Sequence, residues 1–281
     1  MSIDREQSSR TVKVGELEIH YHEAGEGPVL LFVHGSGPGA TGWSNFQRNL
    51  DHFSQKFRVI AVDLPNFGKS TKLSVPIDKV WSYYAEVLLN FMSALQISRA
   101  DLVGNSLGGG ISLKMAMDAP DRIGRLVLMG AGGSLPILTP TPSEGIKHLL
   151  EYYEAPGPSR EKLRNFLDVM VYDPSELTDE LIEERFAAST DPGIVANPLF
   201  TRTRVPGGEA LFGRLPGVAN KTLLIWGRDD RTVTLDNAFL LLKLMPDVRL
   251  HVFGKCGHWA QWEKAEEFNA LVSGFLDGES S

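Results

Sequence analysis

A serine lies at the tip of a predicted turn between a strand and a helix. A strand is predicted from Asp-Leu-Val at residues 101–103, residues 111–116 have a helical pattern, and Gly-Asn-Ser-Leu-Gly-Gly lies between them at residues 104–109. A serine hydroxyl attacks a carbonyl group only if it is exposed, has a base to take its proton and has donors for the oxyanion. A sharp strand-to-helix turn flanked by glycines provides the exposure. We therefore predict that Ser106 is a nucleophile.

A carboxylate follows the serine in the chain, in a polar turn after another predicted strand. The apolar residues 222–226 predict that strand, and Gly227 begins the turn. Asp230 lies three residues after this glycine, where the acid of a serine, acid and histidine series usually stands, so we predict that it is the acid. Asp229 is expected to be its structural neighbour, held by an arginine.

An imidazole follows the last predicted strand, residues 249–253, and belongs to His258. Its place after both the serine and the acid predicts that it is the base. The other histidines lack this context. Alternation in an early strand predicts that His20 and His22 face solvent, and we expect structural or surface roles for His52, His148 and His251.

A second glycine-rich loop, His-Gly-Ser-Gly-Pro-Gly at residues 34–39, follows a strand predicted at residues 29–33. Loops in this position supply a backbone donor to the oxyanion. Because glycines let the backbone approach a substrate closely, we predict that the N–H groups of Ser36 and Leu107 point at one developing negative charge. The alternative is a glycine-rich surface turn.

Composition limits the partners. The 281 residues are 42% hydrophobic, and a formal charge of −7 with a pI near 5.5 argues against nucleic acid and anionic membranes. The sequence has neither an apolar stretch long enough to span a bilayer nor a signal-peptide pattern, so a cytoplasmic location is expected. A single cysteine, Cys256, is expected to serve packing. With no metal-binding or phosphate-binding motif in the sequence, no cofactor and no metal are expected.

Strands alternate with helices over most of the chain and predict an α/β fold, specifically a mostly parallel eight-stranded sheet flanked by helices. Strands are predicted at residues 11–14, 17–22, 29–33, 58–63, 101–105, 126–130, 222–226 and 249–253. Helices are predicted at residues 43–53, 80–96, 108–118, 236–244 and 264–276. The first two strands form an antiparallel hairpin, and the later ones are parallel.

The alternation stops in the middle of the chain. Residues 134–216 contain prolines and helical patterns, which predict a helical lid over a core formed by residues 1–133 and 217–281. Six apolar lid residues either line a pocket or seat the lid helices: Leu167, Met170, Val171, Phe186, Leu199 and Phe200.

Four segments resemble one family closely, the α/β-hydrolases that cleave carbon–carbon bonds in the ring-opened products of catechol meta-cleavage. They are residues 34–46, 102–109, 225–231 and 256–263. The Gly-Pro-Gly turn with a downstream Trp-Ser-Asn, the Asn before the serine and the Trp after the histidine are the specific features. The resemblance spans nearly the whole chain, including the lid.

The resemblance implies an α/β-hydrolase fold and a substrate of the 2-hydroxy-6-oxohexa-2,4-dienoate class. His258 is implicated in the enol-to-ketone tautomerisation, Ser106 in attack on the C6 ketone, and Asp230 in orienting the imidazole. Cleavage of the C5–C6 bond then gives 2-hydroxypenta-2,4-dienoate and a carboxylic acid. The substrate carboxylate and C2 oxygen are expected to contact Gly37, Asn45, Asn105, Arg185 and Trp259. The resemblance also implies a homo-oligomer.

Several alternatives stay open from the sequence. An ordinary carboxylesterase uses the same triad, and a non-catalytic binding protein is the third function class. Arg185 is either a carboxylate clamp or an exposed lid arginine paired with Glu183 or Glu184. The Ser36 hydroxyl either contacts the intermediate or faces water, and Gly110 is expected to open space beside the site. The C6 substituent, and whether serine attacks directly or activates water, are undecided.

Overall fold

A mixed eight-stranded sheet is the centre of the protein. A computed structural model describes residues 3–205 and 209–278. The strands are β1 (Ser9–Val14), β2 (Leu17–Ala24), β3 (Val29–Val33), β4 (Arg58–Val62), β5 (Ala100–Asn105), β6 (Ile123–Met129), β7 (Thr222–Gly227) and β8 (Val248–Phe253). Their order in the sheet is β1-β2-β4-β3-β5-β6-β7-β8. Strand β2 is antiparallel to both β1 and β4, and the remaining pairs are parallel, so the predicted mostly parallel sheet is confirmed.

Helices cover both faces of this sheet. They are α1 (Arg5–Ser8), α2 (Gly42–Phe53), α3 (Val80–Ala94), α4 (Leu107–Asp118), α5 (Glu144–Glu151), α6 (Arg160–Met170), α7 (Asp179–Ser189), α8 (Pro192–Ala196), α9 (Asp236–Leu244), α10 (Ala260–Glu263) and α11 (Ala265–Asp277). Because successive side chains of a strand point to opposite faces, Leu30 and Phe32 of β3 share a core with α2 and α11. Leu31 and Val33 join the core of α3 and α4.

Four helices, α5 to α8, lie between β6 and β7 in the chain, where the sequence predicts a lid. Their apolar residues are continuous with the core on the α3 and α4 face, and Leu163, Phe166 and Leu167 are fully buried there. Residues 206–208, within the predicted lid segment, lie outside the described residues. Within the described part of the chain, no helix is long and apolar enough to cross a membrane.

The predicted exposure of His20 and His22 is wrong. Both side chains are buried, because β2 lies between β1 and β4 and is covered on both faces. His20 Nδ1 lies 2.8 Å from Asp63 Oδ2, and His22 packs against Trp43 of α2. Burial lowers the pKa of His22 to about 4, so this imidazole is neutral at physiological pH.

Candidate active site

Ser106 lies between β5 and α4 in a strained backbone conformation. Its φ is 54° and its ψ is −115°, values that non-glycine residues rarely adopt and that often mark functional turns. Its amide donates to Met129 O at 2.9 Å, which ties the turn to the neighbouring strand. Gly108 is required here, because a Cβ at this position would lie 2.0 Å from Val33 O. The turn thus places the serine at the carboxyl end of the sheet.

Asp230 and His258 form a buried pair at the ends of β7 and β8. His258 Nδ1 lies 2.7 Å from Asp230 Oδ2. The other carboxylate oxygen accepts the N–H groups of Thr232 and Val233 at 2.8 and 3.0 Å, which fixes the carboxylate. A carboxylate accepts hydrogen bonds, so Nδ1 carries the imidazole proton and Nε2 has its lone pair available.

His258 Nε2 is buried and has no hydrogen-bond partner among residues 3–205 and 209–278. His258 and Ser106 line the same small cavity, but the described contacts include no hydrogen bond between the imidazole and the serine hydroxyl. Catalytic hydrogen bonds are often long in the absence of substrate and tighten when it binds. The arrangement can therefore deliver a base to the serine when substrate fills the cavity.

Two backbone donors lie beside the serine. Neither the Ser36 N–H nor the Leu107 N–H donates to an acceptor in the described part of the chain. The loop comes close to Ser106, since a Cβ at Gly35 would lie 3.1 Å from Ser106 Cβ. These N–H groups can stabilise an oxyanion formed at a carbon that Ser106 attacks.

The His34 side chain orients this loop through hydrogen bonds to the backbone. Leu64 N–H donates to His34 Nε2 at 3.0 Å, so Nδ1 carries the proton and donates to Gly35 O at 2.7 Å. Because Gly35 C=O and Ser36 N–H belong to one peptide plane, holding the carbonyl also fixes the direction of the N–H. Complete burial lowers the pKa of His34, which keeps the imidazole neutral in this role.

Most of the predicted site residues line the small cavity, which has a volume of about 20 Å³. They are Ser36, Gly37, Asn45, Asn105, Ser106, Arg185, His258 and Trp259. Asp230 lies behind His258, and Leu107 lines a neighbouring cavity. Asn45 Nδ2 donates to Asn105 Oδ1 at 3.4 Å, and Asn105 Nδ2 donates to Met129 O at 3.2 Å.

Arg185 is the cation of this cavity. Its side chain, on α7, is only 1% exposed, and Nε donates to Pro38 O at 3.1 Å. Its guanidinium carbon lies 4.8 Å from the centre of the Trp259 ring. Burial lowers its pKa to about 10, which leaves it charged at neutral pH, yet Nη1 has no hydrogen-bond partner in the described ranges. A buried charge with an unused donor is suited to binding an anion.

The alternative of an exposed lid arginine does not match the structure. Glu184 pairs with Arg5 at 2.5 Å, and Glu183 pairs with Arg160 at 2.5 Å. The glycine loop explains how Arg185 reaches the site, because a Cβ at Gly37 would lie 3.1 Å from Nη2. Loop and lid helix are therefore fitted to each other.

A larger cavity of about 560 Å³ adjoins the small one, and Ser36, Ser106, Ile146, Leu149 and Thr232 line both. Its described lining residues carry no charge, and many are apolar, including Trp81, Leu149 and Leu150. The expectation that Gly110 opens space is wrong, because a Cβ at Gly110 would lie 2.5 Å from the ring of Trp81. The indole of Trp81 already occupies that volume.

Several lining residues escaped the sequence analysis. Trp81, Ile146, Leu149, Phe166 and Thr232 belong to no motif, and only their packing identifies them. Of the six apolar lid candidates, Met170 lines the small cavity and Phe200 lines the large one.

Glu263 also escaped the sequence analysis and connects the histidine loop to the lid. Its carboxylate accepts the N–H groups of Gly257 and Tyr172 at 2.8 and 2.7 Å. Burial raises its pKa to about 7, against the opposing effect of these hydrogen bonds. Cys256 is buried in the same loop, and burial raises its thiol pKa, which fits the predicted packing role.

Comparisons with known proteins agree with this geometry. The profile of the family described as alpha/beta hydrolase fold matches residues 28–265. A 2-hydroxy-6-oxononadienedioate/2-hydroxy-6-oxononatrienedioate hydrolase from a Pseudomonas species is 45% identical over 96% of both chains. A 2-hydroxy-6-oxo-6-phenylhexa-2,4-dienoate hydrolase from Comamonas testosteroni is 43% identical, also over 96% of both chains.

A solved structure of a meta-cleavage product hydrolase from Pseudomonas fluorescens superposes with a TM-score of 0.86 at 34% identity, over 96% of this chain and 97% of that one. Fold, site geometry and full-length similarity agree. The chain belongs to the meta-cleavage product hydrolases of the α/β-hydrolase fold.

Proposed function

We propose that the protein hydrolyses the C5–C6 bond of a 2-hydroxy-6-oxohexa-2,4-dienoate, giving 2-hydroxypenta-2,4-dienoate and a carboxylic acid. The observation that carries this proposal is the buried guanidinium of Arg185, which lines the same cavity as Ser106 and His258. An esterase for neutral substrates needs no such cation. A dienoate carries a carboxylate at the end opposite to the ketone, and a guanidinium binds a carboxylate in a bidentate manner.

The first step of the proposed reaction converts the C2 enol to a ketone. His258, whose Nε2 lone pair faces no protein donor among the described contacts, takes the enol proton, and C5 gains a proton. Asp230 holds the imidazole in the required tautomer and stabilises its cationic form. The side-chain amides of Asn45 and Asn105, which line the same cavity as His258, are proposed to contact the C2 oxygen. The resulting ketone can accept the electrons that later leave C5.

The second step breaks the carbon–carbon bond. His258, neutral again once it has passed the enol proton to C5, takes the Ser106 hydroxyl proton as this oxygen attacks the C6 ketone. The N–H groups of Ser36 and Leu107 stabilise the oxyanion. The C5–C6 electron pair then moves through the conjugated chain to the C2 oxygen, and the protonated His258 gives its proton to the departing enolate, which yields 2-hydroxypenta-2,4-dienoate. Water hydrolyses the acyl-enzyme and releases the carboxylic acid.

Arg185→Gln tests this proposal against the carboxylesterase alternative. Each charge-assisted hydrogen bond to a desolvated anion contributes about 1.5–3 kcal/mol, so we expect kcat/KM for the 6-phenyl dienoate to fall at least roughly tenfold to a hundredfold. Hydrolysis of p-nitrophenyl acetate, which has no carboxylate, should change little. Both substrates are followed by absorbance on the same preparations.

Arg160→Gln is the matched control, because Arg160 lies on the exposed part of the lid and pairs with Glu183. It should leave both activities unchanged. If Arg185→Gln leaves the ratio of dienoate to ester activity as in the wild type, the esterase alternative replaces the proposal. The homo-oligomer stays a separate prediction, which light scattering after size exclusion tests.

A further inference from the structure

The two cavities differ in charge, and they meet at the nucleophile. Ser36 and Ser106 line both of them. The small cavity contains Arg185, and the large one has no charged side chain among its described lining residues. Residues 206–208, which follow the lining residue Val205, are Pro, Gly and Gly and have no charged side chains. If the carboxylate end of the substrate contacts Arg185, the group attached to C6 enters the large cavity.

Most polar side chains of the large cavity already form hydrogen bonds within the protein. Ser134 and Ser143 donate to Asn237 O and Thr232 O at 2.8 and 2.6 Å. Thr139 and Thr234 donate to the Asp236 carboxylate, and Thr232 donates to Met170 Sδ. The other hydroxyls belong to Ser36 and Ser106 at the reacting carbon and to the exposed Thr141. An anion in this cavity would therefore find few donors.

The loop at residues 135–142, which lines the large cavity, binds a charge of the same sign as a second carboxylate. Asp236 is buried and accepts the N–H groups of Ile137, Leu138 and Thr139 at 2.8, 2.6 and 2.9 Å. These bonds fix the loop at residues 135–142 beside the large cavity. A carboxylate entering past this loop would lose water without gaining a cation and would be repelled by Asp236.

We propose that this cavity selects a neutral, apolar C6 substituent of aryl size or larger and rejects a substituent that ends in a carboxylate. The inference rests on the proposed function for its substrate class. It distinguishes between the substrates for which two relatives are named, a 6-phenyl dienoate and a dienedioate, which has a second carboxylate. Trp81, packed against Gly110 and Gly132, contributes an aromatic wall to the cavity.

The test compares kcat/KM for 2-hydroxy-6-oxo-6-phenylhexa-2,4-dienoate and 2-hydroxy-6-oxononadienedioate with the wild-type protein. Because an unpaired buried carboxylate is costly, we expect the phenyl substrate to be preferred at least about thirtyfold. A smaller preference, or a preference for the dioate, overturns the inference. In either case cleavage of the phenyl substrate leaves the proposed function standing.

Esters with the same acyl groups distinguish a failure of the proposed function from a failure of the proposed C6 selectivity. p-Nitrophenyl benzoate and mono-p-nitrophenyl succinate place a phenyl group or a carboxylate in the large cavity without requiring carbon–carbon cleavage. If neither dienoate is cleaved, the proposed function fails. In that case kcat/KM is compared for the two esters, and we expect the benzoyl ester to be preferred at least about thirtyfold. A preference for the succinyl ester overturns the inference.

A designed cation supplies the converse test. Leu150 is half-buried and lines the large cavity, so Leu150→Arg adds a counterion there. We expect the ratio of dioate to phenyl activity to rise at least about tenfold, as expected for one charge-assisted pair. Leu150→Gln is the control of similar length without charge. An equal rise in both variants contradicts the inference, because it would show an effect of size alone.

Discussion

Two adjacent carboxylates in the loop after β7 have different environments. Asp230 is buried, contacts His258 Nδ1 and accepts two backbone N–H groups. Asp229 is partly exposed, and within residues 3–205 and 209–278 its carboxylate contacts only Arg228, at 3.4 Å. One side chain can therefore set the imidazole tautomer, and the other cannot.

Asp230→Asn and Asp229→Asn form a matched pair for testing this difference. An amide at position 230 turns an NH₂ group or a neutral carbonyl toward the imidazole and no longer stabilises its cation. Losses of about ten-thousandfold are known when the acid of a triad becomes an amide, and we expect a loss approaching that size for Asp230→Asn. Asp229→Asn should lose less than about tenfold. Steady-state dienoate turnover measures both, and equal losses would reject Asp230 as the acid.

Sequence motifs predict the site residues that directly follow the end of a strand. They do not predict the residues that reach the site only through helix packing. Ser106, Asp230 and His258 each follow a strand at a recognisable turn, and the structure brings them to one edge of the sheet. Trp81 lies on α3 and meets Gly110 of α4 only through helix packing. His20 and His22 alternate as exposed residues do, but burial depends on what covers each strand face.

The loop at residues 34–39 and helix α7 fit together as a unit. Gly39 has a φ of 67°, and a Cβ there would lie 2.0 Å from Arg185 O. The same loop carries the Ser36 N–H, so a shift that relieved this clash would disturb both the oxyanion donor and the guanidinium. The sequence predicted a close backbone approach here, but it did not indicate that the approaching group belongs to the lid.

Gly39→Ala tests this fit against simple backbone strain. Gly15 is the matched control, since its φ is 59° and a Cβ there would meet nothing within 4 Å. The positive φ costs alanine on the order of 1 kcal/mol of unfolding free energy in either position, and the clash with Arg185 O adds to this cost at Gly39. Gly39→Ala should in addition lower dienoate kcat/KM at least about tenfold. Urea unfolding and turnover are compared, and equal catalytic effects of the two variants would disprove the fit.

At the scale of the whole molecule, the sheet carries the proposed nucleophile, acid and base, and the predicted lid carries the charge of Arg185. The positions of the strands along the chain and the alternating core pattern could be predicted, because they follow from hydrophobic periodicity. Lid packing could not, because α5 to α8 meet the core through side chains far apart in sequence.

The central claim is that Ser106 cleaves a carbon–carbon bond after a separate tautomerisation by His258. The most direct measurement follows the yellow 6-phenyl dienoate by rapid-scan absorbance in the wild type and in Ser106→Ala, with benzoate quantified at the end. Wild type should release benzoate and 2-hydroxypenta-2,4-dienoate. Folded Ser106→Ala should release them at least about a thousandfold more slowly. In this variant we also expect a spectral change without product, which indicates that the ketonised substrate has accumulated. Benzoate release at the wild-type rate by folded Ser106→Ala would contradict the account.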